Sequence, residues 1–97
     1  MTTWFISRHP GAILWAKSQS LAVDRWLAHL DPELIEAGDV VIGTLPVHLA
    51  EVVCRRGAAF HFLIVPHQSE QRGQELDLVD MLAARCSIQR FRVVRED

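Results

Sequence analysis

The chain has 97 residues, of which 49% are hydrophobic and 23% are charged, and its formal net charge is −2. This length predicts one domain, residues 1–97, that buries about two-thirds of its surface. The lack of a basic excess argues against a protein that holds long DNA or RNA. No apolar run approaches the roughly 18 residues that a membrane span needs. The absence of a secretory signal and the presence of only two cysteines are typical of a cytoplasmic protein.

The first half of the chain predicts strands alternating with helices. Residues 3–7 are apolar and β-favouring and predict a strand, and residues 12–17 predict a short helix with Pro10 near its start. Residues 21–30 fit both a helical face and the alternation of a strand. A strand is favoured there, because a βαβ unit needs one. Residues 39–43 predict a strand buried on both faces, since their core is a continuous β-branched run.

The second half continues the alternation. A helix is predicted over 46–56 and ended by Gly57, followed by a strand over 60–65, a helix over 76–83 and a strand over 88–94. Strands and helices in this order predict an α/β fold. In 97 residues, that fold is a minimal Rossmann-like three-layer sandwich with a mostly parallel sheet of about five strands.

Two loops after predicted strands hold the candidate site residues. In parallel sheets, ligands bind outside the carboxyl ends of the strands, at the point where the strand order reverses. Each loop also precedes a helix, whose first N–H groups attract phosphate oxygens. We expect the loops to lie side by side and to form a pocket for a phosphate or phosphodiester. The candidate site residues are Ser7, Arg8, His9, Pro10 and Gly11 in the first loop, and Gly43, Thr44, Leu45 and Pro46 in the second loop.

The residue types in these loops suit phosphate chemistry. Arg8 offers a planar fork of donors for phosphate oxygens, and His9 can give or take a proton near neutral pH. Thr44 adds a hydroxyl donor, and Gly43 allows a ligand to approach the backbone. Alternative interpretations are that Ser7 and Thr44 only cap the helices, and that Gly43 and Pro46 only serve the turn.

Other residues carry weaker signals. His48, early in the second helix, is either a further ligand-binding residue or a solvent-facing histidine. Arg72, in the polar loop over 67–75, either closes over a ligand or is solvated. The histidines and cysteines lack metal-ligand spacing, so no metal or other cofactor is predicted.

The first loop resembles two known families. Arg8 and His9 after an apolar strand resemble the Arg-His-Gly opening of the histidine phosphatases, although Pro10 stands in place of the glycine. A longer resemblance is to a small Csx-type CRISPR-associated family. Its motifs are collinear along the chain: residues 4–12, His29-Leu30-Asp31, residues 38–50 and residues 72–76.

The Csx-type resemblance implies an accessory protein of type III CRISPR systems that has a CARF-like, Rossmann-type fold and acts as a homodimer. Such proteins are similar to ring nucleases, which cut cyclic oligoadenylate, here cyclic tetra-adenylate, and switch off antiviral signalling. Combined with the two loops, this implies metal-independent attack by a 2′-OH on its own phosphate. Arg8 would hold the phosphate, His9 would act as acid or base, and Ser7 or Thr44 would orient the 2′-OH.

Two alternatives remain open. The same loops would serve a non-catalytic module that senses or sequesters the cyclic oligonucleotide, because phosphate contacts alone give binding. A small phosphatase would need a second catalytic histidine, for which His48 is the candidate.

Overall fold

The computed structural model describes residues 1–65 and 85–97. The predicted helix over 76–83 and the loop that contains Arg72 lie outside the described residues. Within them, the elements are β1 (Thr3–Ile6), α1 (Pro10–Ser18), β2 (Arg25–Leu27), a 3₁₀ turn (Pro32–Leu34), β3 (Val40–Gly43), α2 (Val47–Arg55), β4 (Ala59–Ile64) and β5 (Ser87–Phe91).

The five described strands form one sheet in the order β2-β1-β3-β4-β5. β1 runs parallel to both β2 and β3, β3 runs parallel to β4, and β5 pairs antiparallel with β4 at the edge. The chain builds outward in opposite directions from β1, so the strand order reverses between β1 and β3. This confirms the predicted α/β class and the mostly parallel sheet.

The two described helices cover opposite faces of the sheet. Successive side chains of a strand point to opposite faces, so Trp4 and Phe5 belong to different hydrophobic clusters. One cluster packs α1 on the sheet, and its buried members include Phe5, Ala12, Trp15, Ile42 and Leu63. The other packs α2, and its buried members include Trp4, Val41, Ala50, Val53 and Phe60. The result is the predicted three-layer arrangement.

The amino end of β3 is fixed by a buried carboxylate. Asp39 is only 3% exposed, and it accepts hydrogen bonds from the Thr2 N–H (2.8 Å), the Glu36 N–H (3.0 Å) and the Trp4 indole N–H (3.1 Å). Burial alone would raise the pKa of Asp39. The hydrogen bonds to Glu36, Thr2 and Trp4 outweigh it, so the pKa lies below its ordinary value of 3.8. The carboxylate therefore ties the chain before β1 and the turn before β3 together.

Two predicted strands are shorter than expected, and one turn was not predicted. The strand within 21–30 is only Arg25–Leu27. The 3₁₀ turn that follows was not predicted, although Asp31 caps it by accepting a hydrogen bond from the Glu33 N–H at 3.1 Å. The final strand ends at Phe91 rather than at residue 94, because Val93 instead donates its N–H to the Cys54 Sγ on α2 at 3.4 Å.

Candidate functional site

Three parallel strands end side by side at one edge of the sheet. Ile6, the last residue of β1, pairs with Leu27 on β2 and with Gly43 on β3. The Ser7 N–H continues the ladder by donating to the Leu27 carbonyl at 2.9 Å. Adjacent strands lie about 4.8 Å apart, so the residues after these three ends lie within reach of one ligand.

These strand ends border an open cleft of about 540 Å³. The β1 loop lies at its centre, with the loops that follow β2 and β3 on either side. It is lined by Ile6, Ser7, Arg8, His9, Ala28, His29, Leu30, Thr44, Leu45, Pro46 and Leu49.

The β1 loop turns into α1 through a hydrogen bond of its own. The Ser7 Oγ accepts a hydrogen bond from the His9 N–H at 3.1 Å, which is the local turn that serine commonly makes with the residue two places on. The N-cap of α1 is His9, and Pro10 occupies the first helical position. The interpretation of Ser7 as the N-cap is therefore wrong. Its hydroxyl lies beside His9 at the cleft.

The β3 loop also leads directly into a helix, α2. The N-cap of α2 is Pro46, whose carbonyl accepts hydrogen bonds from the Leu49 and Ala50 N–H groups at 3.0 Å. Thr44 is exposed and lines the cleft, so the interpretation of this residue as the N-cap is also wrong. Leu45 packs partly buried against the α2 cluster, which anchors the loop. Among the described residues, no side chain caps either helix.

The packing of β3 against β1 explains why residue 43 is a glycine. A Cβ at this position would lie 2.5 Å from the Ile6 carbonyl oxygen, so only glycine lets β3 approach β1 this closely. Gly43 is buried and does not line the cleft. The predicted approach of a ligand to its backbone stays a prediction.

The remaining predicted residues lie around the cleft rather than in its wall. Pro10 is exposed at the start of α1, Gly11 is buried behind it, and His48 is exposed in the first turn of α2. None of these three lines the cleft as the described residues define it. Arg72 lies outside those residues.

Sequence reasoning missed one titratable residue of the cleft. His29 follows β2 by two residues, and it is exposed and lines the cleft together with Ala28 and Leu30. Its position depends on β2 being a strand that pairs with β1. The sequence signal that could have identified His29 is its place in a polar loop after a parallel strand, because ligand sites form at the carboxyl ends of such strands.

The charge of the cleft differs from that of the whole chain. Arg8 and two histidines are the ionisable residues of its described lining, and that lining contains no Asp or Glu. The chain as a whole has 12 acidic and 10 basic residues. A cation, two helix starts without side-chain caps and the absence of carboxylates from the described lining favour an anionic ligand.

Two further findings concern residues 1–65 and 85–97. No group of three or more His, Cys, Asp or Glu side chains is arranged to hold a metal ion there. In the same residues, no helix is long and apolar enough to cross a membrane.

Comparison with known proteins places the chain in a family. It matches a family model described as "Putative CRISPR-associated protein (Cas_VVA1548)" over residues 4–94. Searches of curated proteins and of solved structures returned no match. The matched span includes β1 except for Thr3, all of β2 and β3, and the three loops that form the cleft. The chain therefore belongs to this CRISPR-associated family.

Proposed function

We propose that this protein is a ring nuclease that cleaves cyclic oligoadenylate, with cyclic tetra-adenylate as the expected substrate. The observation that carries the proposal is the composition of the cleft: one arginine, histidine and hydroxyl side chains, and no carboxylate in the described lining. Membership of a CRISPR-associated family supports this substrate class, because the Csx-type resemblance implies a role in type III signalling.

The reaction uses groups that the substrate carries. In each linkage the 2′-oxygen attacks the neighbouring phosphorus, a P–O bond forms, and the bond from phosphorus to the 5′-oxygen breaks. The products are a 2′,3′-cyclic phosphate and a 5′-hydroxyl. No water or metal enters this step, so positioning and charge stabilisation account for most of the rate.

Each of the cleft residues has a separate role in this reaction. Arg8 donates to the non-bridging phosphate oxygens, supported by the amide groups at the starts of α1 and α2. Ser7 and Thr44 orient the 2′-OH, and His9 transfers a proton. Opening the ring removes the second messenger, so the activity would switch off type III antiviral signalling.

A homodimer suits this substrate. One chain presents an open cleft at one edge of its sheet, whereas a cyclic tetra-adenylate repeats the same unit around a ring. A two-fold dimer would offer two equivalent clefts to a symmetric ligand. Light scattering should give twice the chain mass, and a monomer that cleaves at the full rate would contradict this part of the proposal.

The rival function is a sensor or sequestering module that binds the ring without cutting it. Arg8, Thr44 and the helix amides suffice for binding, and only His9 implies proton transfer. The phosphatase alternative is weaker, because His48, the second histidine it needs, is not part of the described cleft lining.

The deciding experiment incubates the protein with cyclic tri-, tetra- and hexa-adenylate, with and without a chelator, and identifies the products by mass spectrometry. We expect chelator-insensitive conversion of cyclic tetra-adenylate to linear products with 2′,3′-cyclic phosphate ends. His9→Ala should lose about 100-fold or more in rate. Intact ligand bound tightly would support the sensor instead, and phosphate release from monoesters would support the phosphatase.

A further inference from the structure

The cleft holds a second histidine that the proposed chemistry has not used. His29 follows β2, on the opposite side of the β1 loop from Thr44. β2 and β3 flank β1, so their backbones lie about 10 Å apart across the cleft. A side chain from the β2 flank and one from the central β1 loop can therefore reach different sides of a phosphate held by Arg8.

Transfer of the phosphoryl group to the 2′-oxygen has a matching requirement. The attacking and leaving oxygens lie on opposite sides of the phosphorus, and one must lose a proton while the other gains one. A single imidazole on one side serves one of these oxygens well and the other poorly. A cleft with two imidazoles from different strand ends can serve both.

We propose that His29 is the general acid of this reaction and that His9 is the general base. The Ser7 Oγ accepts a hydrogen bond from the His9 N–H, and Thr44 lies on the opposite side of the β1 loop from His29, so a 2′-OH held by these hydroxyls lies away from His29. Neutral His9 takes the 2′-OH proton as the 2′-oxygen bonds to phosphorus. The P–O5′ bond breaks, and protonated His29 gives its proton to the 5′-oxygen. Exchange with water restores both imidazoles.

Besides His9 and His29, Arg8 is the ionisable residue in the described lining of the cleft. Asp31, the carboxylate nearest to His29 in the chain, accepts the Glu33 N–H and belongs to the 3₁₀ turn. Both imidazoles line the cleft, where they can transfer protons to and from a bound phosphodiester.

This inference rests on the proposed function, and its test uses a changed leaving group. The substrate is cyclic tetra-adenylate, compared with an analogue that carries sulfur in place of each bridging 5′-oxygen. A thiolate leaves without protonation, so the analogue needs no general acid. On the normal ring we expect His29→Ala to lose about 100-fold or more in rate, and on the sulfur analogue it should approach the wild-type rate.

Two controls separate the roles. His9→Ala should stay slow on both substrates, because the base is still needed. His61→Gln changes a histidine of β4 outside the cleft and should cleave like the wild type.

The outcomes are distinct. A His29→Ala variant that cleaves normally, or that stays equally slow on the sulfur analogue, overturns the assignment of His29 while leaving ring cleavage in place. Rescue of His9→Ala instead would reverse the two roles and also overturn it. Wild-type protein that cuts no ring overturns both this assignment and the proposed function. His29→Gln, with circular dichroism and a urea midpoint, verifies that lost activity is not lost folding.

Discussion

The two ends of β1 and β3 use their polar groups in opposite ways. At the amino end, the Asp39 carboxylate is buried and accepts three hydrogen bonds, one of them from the Trp4 indole. At the carboxyl end, Arg8, His9 and Thr44 are exposed around an open cleft. A fully partnered buried group stabilises a fold, whereas exposed polar groups that converge on a cleft are available to a ligand.

This contrast predicts a division between stability and activity along the same two strands. Changes at the amino end should reduce the free energy of unfolding and leave the chemistry of folded molecules intact. Changes in the cleft wall should reduce cleavage and leave unfolding nearly unchanged. Five predictions test this division between stability and activity.

Arg8→Ala should have the largest effect of these changes, and that effect is on the cleavage of cyclic tetra-adenylate. Loss of the guanidinium removes the charged donors from the phosphate, so we expect a fall of about 100- to 1,000-fold in kcat/KM for cyclic tetra-adenylate. The free energy of unfolding should stay within about 0.5 kcal/mol of the wild type, because the residue is exposed. Arg92→Ala, an exposed arginine outside the cleft, is the matched control and should retain full activity. Equal losses of cleavage activity in both variants would mean that the net charge of the protein, rather than a contact in the cleft, affects cleavage.

The next effect in size is that of Asp39→Asn. It removes the charge and places an amide among donors, so we expect a loss of roughly 2–4 kcal/mol in the free energy of unfolding, measured with urea. Asp24→Asn is the matched control, because Asp24 is exposed and accepts one hydrogen bond, from the Thr3 N–H at 2.8 Å. It should cost about 1 kcal/mol or less. Cleavage per folded molecule should be unchanged in both.

The same carboxylate sets a pH dependence. The pKa of Asp39 is lowered in the folded protein from 3.8, so its contribution to stability is complete above that pH. It is lost as the pH falls through the folded-state pKa, because the unfolded state then binds more protons. Unfolding curves of Asp39→Asn should therefore be less sensitive to acid below about pH 4 than those of the wild type.

Gly43→Ala tests a position beside the cleft where stability and site geometry are coupled. The new Cβ would meet the Ile6 carbonyl, so we expect a cost of about 1–3 kcal/mol and a weaker ring affinity, since β1 and β3 must separate. Thr44→Ala, one residue on and exposed, should change the free energy of unfolding by less than about 0.5 kcal/mol. An unchanged stability in Gly43→Ala would mean that the strand ends are not closely packed.

The smallest effect concerns His61, which pairs across β4 and β5 with Arg90. Burial, and next the positive charge of Arg90, lower the pKa of His61 below 6.5. The neutral form is therefore favoured in the fold, and stability should decline as the pH falls from 6.5 toward the folded-state pKa. Urea midpoints at pH 7.5 and 5.5 should differ less in His61→Gln than in the wild type, with activity unaffected.

The parts of the fold that the sequence predicted are those with strong local patterns. The β-branched run of β3 and the apolar spacing of α2 specify their own structure. β2 could not be assigned with the same clarity, because its three residues become a strand by pairing with Trp4, Phe5 and Ile6. The antiparallel direction of β5 is likewise a property of the sheet and not of its own residues.

The site residues that could be predicted are likewise those next to elements with strong local patterns. Ser7, Arg8, His9 and Thr44 were predicted together because each follows an evident strand, and they do line one cleft. His29 was missed as a site residue because it follows β2, whose state was open. The capping roles considered for Ser7 and Thr44 were wrong, since His9 and Pro46 occupy those positions.

The most direct test of this division locates the ligand on the protein. Cyclic tetra-adenylate with 2′-O-methyl groups lacks the nucleophile, so it should bind without being cut, and amide chemical shifts can be followed by NMR. The predicted result is large changes confined to residues 7–9, 28–30 and 44–46, with the Trp4 indole signal beside Asp39 unmoved. Changes centred on that indole, or the absence of binding at any of the three loops, would contradict the account.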